Sequence, residues 1–112
     1  MAILPNSPET LLEKLFSIFP EFQSTYTVPN DGETPTFGDV LIDFTPFFGE
    51  RINSFSKNQL QEFAELVNAA VAEDGLLENI LGTFLLEHLH QIGACRVFMP
   101  YLSKAACEKT HA

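Results

Sequence analysis

The chain has 112 residues, 46% of them hydrophobic and 11 of them phenylalanine, with a formal net charge of −9. The length fits one domain spanning residues 1–112, and the composition fills a core, which excludes a disordered chain. Two cysteines, Cys95 and Cys107, exclude a disulfide scaffold, and the acidic balance argues against nucleic acid and anionic membrane as partners, because phosphates are bound by Lys and Arg.

The acids are unevenly spread. Residues 1–50 carry Glu9, Glu13, Glu21, Asp31, Glu33, Asp39, Asp43 and Glu50 against the single base Lys14, whereas residues 95–112 carry a net +2. Solubility alone is the first explanation of such a charge, and a basic protein partner is the second. The opening MAILPNSPE lacks a basic segment before its short apolar run, so no signal peptide is read. No stretch approaches the roughly 20 apolar residues of a membrane span. The expectation is a soluble, cytoplasmic protein with reduced thiols.

In chain order, NSPET announces the first helix: Ser7 caps it, Pro8 takes its first position, and Leu11, Leu12, Leu15, Phe16 and Phe19 follow helical spacing until Pro20 stops it. Residues 23–36 read as an irregular loop rich in turn formers, in which NDG offers a hairpin as the lesser alternative. A second helix opens at TFGD, with Thr36 as cap and Asp39 completing a capping box. Val40, Leu41, Phe44, Phe47 and Phe48 form its apolar face; Asp39, Asp43 and Glu50 fall within about 40° of one another on another side. Pro46 is expected to kink or split this helix.

A third helix starts at the capping box Ser56–Gln59, buries Leu60, Phe63, Ala64, Val67 and Val71, and ends at Asp74-Gly75 with Gly75 in a left-handed conformation. A fourth is expected from about Leu76 to Ile92, stopping at Gly93. A last one starts near Pro100, with Leu102, Ala105 and Ala106 inward. Short connections imply antiparallel neighbours, and the fold class is all-α: a single-domain, compact bundle of about five helices.

The stretch FLLEHLHQIGAC invites a catalytic or metal reading. On an ideal wheel His88 falls within the apolar stripe of the fourth helix and His90 on its polar side, so the two rings diverge; a chelating pair needs i,i+3 or i,i+4 spacing. Glu87 and His90 have usable spacing but lack the further ligands a metal needs. No metal and no cofactor is therefore assigned. His88 reads first as a core or interface histidine with a hydrogen bond; the alternative is an enzyme or ligand-binding bundle that uses His88 in a cavity. No phosphate loop, zinc spacing or nucleophile elbow is present.

LLEKLFSIFPEF, a polar loop, FGDVLIDF and LLENILGTFLLEHL together carry a resemblance. The pattern, in particular Phe19-Pro20-Glu21, Phe37-Gly38-Asp39 and the segment from Asn79 to Leu89, resembles small acidic all-helical bacterial immunity-type proteins, including those of contact-dependent growth inhibition and related polymorphic toxin systems. Pro46 departs from the uninterrupted helix of that pattern. The resemblance implies a cytoplasmic binder without enzymatic activity, which covers the active site of a cognate toxin. Basic toxins such as nucleases fit the charge. The residues expected to meet such a partner are Asp31, Glu33, Asp39, Asp43 and Glu50, with Tyr26 as an aromatic anchor. A homodimeric structural module is a further alternative.

Overall fold

Side-chain caps decide where the helices begin. The computed structural model describes residues 7–26, 36–73, 75–89 and 91–108. The Ser7 hydroxyl accepts from the Thr10 amide at 3.2 Å and opens α1, Pro8–Ile18. Pro20 ends α1, but the chain does not pass into a loop there. Pro20 is itself the first residue of α2, Pro20–Thr25, where a missing N–H costs nothing. The irregular stretch expected from residue 23 is therefore helical through Thr25, and the hairpin expected at NDG lies outside the described residues.

Thr36 and Asp39 form the expected capping box, with Asp39 N–H donating to Thr36 Oγ1 (3.1 Å) and Thr36 N–H to Asp39 Oδ2 (3.0 Å). The helix they open, α3, runs from Phe37 to Arg51 and is not split at Pro46. The reason lies in the register. Pro46 and Ile42, whose carbonyl loses its usual donor, share the outer face, and both are exposed. Water can serve that carbonyl in place of the absent N–H. Val40, Leu41, Phe44, Phe47 and Phe48 are buried on the opposite side, as their spacing requires.

The second capping box is also present: Ser56 N–H donates to Gln59 Oε1 (2.9 Å) and Gln59 N–H to Ser56 Oγ (3.1 Å), opening α4, Lys57–Glu73. Gln59 does more than cap. Its Nε2 donates to the Ile18 carbonyl (3.0 Å), so the start of α4 also closes the end of α1. Gly75 is not the left-handed terminator expected of it. Its φ is −118°, and it is the extended N-cap of α5, Leu76–Phe84.

The largest departure from periodicity comes next. The helix expected to reach Ile92 stops at Phe84, followed by a 3-10 turn over Leu86–His88. Two things hold the break. The Thr45 hydroxyl donates to the Phe84 carbonyl (2.8 Å), while the His88 amide turns to the Leu85 carbonyl (3.0 Å). A straight helix would place Leu86 and Leu89 about 120–180° from Leu77, on the solvent side; after the break Leu85, Leu86 and Leu89 are all fully buried. Gly93, at φ +73°, reverses the chain. The last helix, expected from near Pro100, starts later, as α7, Lys104–Glu108, with Ser103 Oγ accepting from the Ala106 amide; a short helix that was not expected, α6, Cys95–Phe98, precedes it. Ala106 is buried, Leu102 half-buried, and Ala105 exposed rather than inward.

The result is all-α. Among the described residues there are seven α-helices and no strand, and α1, α3, α4 and α5 are the long ones. The number exceeds the five expected because α2, from Pro20, and α6, before Pro100, lie where no helix was expected. α5 packs on α3 and α4, α1 on α2, α3 and α4, and α7 on α4. The Cα radius of gyration is 13.1 Å, as for a compact chain of this length. Phenylalanines tie the elements together. The fully buried Phe44 ring lies 5.1–6.0 Å from those of Phe19, Phe22, Phe47, Phe48 and Phe63. Phe48 and Phe63 extend the cluster to Phe98. Truncating one such ring to alanine costs about 3–5 kcal/mol.

Candidate functional site

The buried face of α3 dictates its outer face. With Phe44, Phe47 and Phe48 locked inward, the exposed residues of α3 are Asp39, Ile42, Asp43, Pro46 and Glu50, which share one stripe, and Arg51 at its end, to the side of that stripe. Because the helix is continuous, Asp39, Asp43 and Glu50 stay within about 40° of each other along three turns. Three of the predicted contact residues are therefore brought onto one stripe. The other two acids, Asp31 and Glu33, lie outside the described residues.

Tyr26 is the C-cap of α2 and half-buried; its ring packs against Phe16 at 6.0 Å and Phe22 at 5.6 Å. It borders the acidic stripe. Burial, then the carboxylates of Asp43 and Asp39, raise its phenol above the ordinary value of 10.0. Asp43 is affected in the same way: burial first, and the Asp39 charge second, raise its carboxyl above 3.8. Like charges are thus held close enough to disfavour one another, and an approaching cation would relieve that repulsion. Asp39 also has a structural task, since one of its oxygens completes the cap of α3. Nearby, Arg51 lies over the Phe47 ring at 5.8 Å.

Sequence reasoning missed Ile42. It is 57% exposed, the only large hydrophobic so exposed among the described residues. The signal was available: Ile42 falls off the apolar stripe of its own helix and next to Asp43.

His88 is not on the stripe of a core helix. It ends the 3-10 turn, half-buried, and its Nδ1 is 2.8 Å from Gln91 Oε1 in an exposed contact. Glu87 is exposed, and His90 lies outside the described residues. Among the described residues no three His, Cys, Asp or Glu side chains gather as metal ligands, and no buried side-chain nitrogen or oxygen lacks a hydrogen bond. Cys107 is half-buried, its thiol directed at the carbonyls of Met99 and Leu102. No helix among the described residues is long and apolar enough to cross a membrane.

Fold and surface together define a small all-α protein that presents an acidic helix face. No protein-family model matches the chain, and no curated protein or solved structure matches it either.

Proposed function

We propose that this protein is a protein–protein interaction module, an immunity protein that binds and neutralises a basic cognate toxin domain through the outer face of α3. The observation that carries this reading is the placement of Asp39, Asp43 and Glu50 on one exposed stripe of an uninterrupted helix. Burial first and the neighbouring Asp39 charge second raise the Asp43 carboxyl, and the second of these, the like-charge repulsion, is relieved when bases dock, which supports the reading. Clustered carboxylates raise the association rate with a basic surface and reject acidic ones. A nuclease, whose phosphate-binding cleft is basic, is a partner of this kind. In this reading the protein acts in the cytoplasm and has no catalytic activity of its own; it works by covering the toxin's active site.

The test starts at the reading frame immediately upstream: this account expects it to end in a toxin-like domain, which is then co-expressed with this protein. Protection of the cells, and a stable complex of the two purified proteins, is the expected result. If that domain remains toxic and the two proteins migrate separately at low salt, the reading fails.

A further inference from the structure

The outer stripe of α3 is more than a row of charges. Pro46 has no N–H, so the Ile42 carbonyl loses the donor that every interior helical carbonyl normally has. The Ile42 side chain stands out of the same turn, 57% exposed, with Asp43 beside it, Asp39 one turn before and Glu50 two turns after. The five side chains outward along this stripe are three acceptors and two apolar groups, with no donor among them, and the backbone adds one more acceptor. The nearest base on the helix, Arg51, is set over the Phe47 ring. Such a surface is complemented by Lys or Arg donors surrounding an apolar contact.

We infer that Ile42 is the apolar centre of this interface, docking into a partner surface where a hydrophobic recess is bordered by Lys or Arg, which bond Asp39, Asp43, Glu50 and the Ile42 carbonyl. The inference rests on the reading above and adds its anchor. Charges around the rim set the rate of encounter; the isoleucine, once desolvated, slows dissociation. Pro46 serves the site by leaving the carbonyl open and by adding apolar surface one turn further on.

Two defined probes separate the anchor from the charge. One is a heptapeptide of lysines; the other has leucine at its third and fifth positions. Backbone amide shifts of the full chain, recorded at low salt, locate binding. Both peptides are expected to perturb residues 39–50, and the leucine-bearing one to bind roughly tenfold more tightly, as one buried aliphatic side chain allows. Ile42→Ala should remove that advantage and leave the all-lysine affinity unchanged. Pro46→Ala, which restores the N–H, should weaken both peptides about twofold or more.

Equal affinity of the two peptides, or an unchanged preference in Ile42→Ala, overturns the anchor while leaving the acidic face standing. Shifts centred on Glu62 and Glu65 of α4, or none at all, overturn the acidic face of α3 as well. A concentration-dependent mass of two chains that Ile42→Ala abolishes would assign the face to a second copy and also overturn the proposal.

Discussion

Gly49 sits in the middle of α3, where glycine costs about 1 kcal/mol relative to alanine, and the structure supplies the reason for it. A Cβ at this position would lie 2.6 Å from Ile92 Cβ, 2.9 Å from the Ile92 carbonyl oxygen and 3.2 Å from Ile92 Cγ1. Non-bonded carbons rest at about 3.5–4.0 Å, so Gly49→Ala requires a displacement of about 1 Å. The obstacle includes backbone, held by the bonds from the Ile92 amide to the His88 carbonyl and from Ala94 to Leu89. Overpacking of this kind costs about 1–3 kcal/mol. Because backbone must move, the cost falls in the upper part of that range, about 2–3 kcal/mol, and set against the helix-propensity gain the net loss is about 1–2 kcal/mol. Urea unfolding followed by far-UV circular dichroism should show the midpoint lowered by roughly 0.5–1 M at the slope of a small domain. Gly75→Ala is the control. Nothing lies within 4 Å of its Cβ and its φ of −118° suits any residue, so no steric cost arises; only the poorer capping by alanine at this N-cap remains, under about 1 kcal/mol. A Gly49→Ala protein as stable as the parent would refute the close approach of α3 to the chain beyond the α5 break.

Three further substitutions probe the contacts that set the surface. Thr45→Val keeps the shape but removes the hydroxyl that serves the Phe84 carbonyl in a nearly buried site, and should cost about 1–3 kcal/mol by thermal unfolding; no loss would contradict the account of the break. Asn68→Ala removes a side chain that donates to the Tyr101 carbonyl (3.3 Å) and accepts from the Ser103 amide (2.8 Å), so hydrogen exchange at Ser103 should accelerate well beyond that in the centre of α4; uniform exchange would contradict it. Asp43→Asn tests the repulsion. The folded carboxyl is raised above its unfolded value, so ionisation opposes folding: the parent loses stability as pH rises from 3.8 through the raised value, and the penalty is absent at more acid pH. At neutral pH the variant should therefore be more stable, by less than ~1 kcal/mol because the group is largely exposed, and the Tyr26 phenol should titrate lower than in the parent. An unchanged Tyr26 midpoint would contradict the coupling.

Local chemistry was the most legible part of the sequence. Ser7, Thr36–Asp39 and Ser56–Gln59 act where short-range rules place them, because a cap depends only on residues three apart. What failed was the assumption that one period continues. From Leu76 to Ile92 the wheel kept a single apolar stripe, although Leu86 and Leu89 lay off it; burying them required a break that a hydroxyl on another helix, Thr45, helps to hold. Tertiary partners of this kind have no local signature. At Pro46 the split that was one of the two expected outcomes did not occur: a helix runs through a proline where the orphaned carbonyl faces outward, and that depends on which face the core claims. Of the site, Asp39, Asp43 and Glu50 were read from spacing alone and do share a stripe, whereas Ile42 was passed over because it did not belong to the apolar pattern.

The most direct test of the central claim is the association rate of this protein with the toxin domain against which it protects cells in the co-expression test, measured by stopped flow from about 0.05 to about 0.5 M salt. The pair Asp43→Lys and Glu50→Lys reverses the face while leaving the Asp39 cap intact. The account predicts that the parent's rate falls steeply as salt rises, and that the reversed protein associates at least tenfold more slowly at low salt with a much flatter dependence. A rate that is insensitive to salt and unchanged by the double reversal would contradict it.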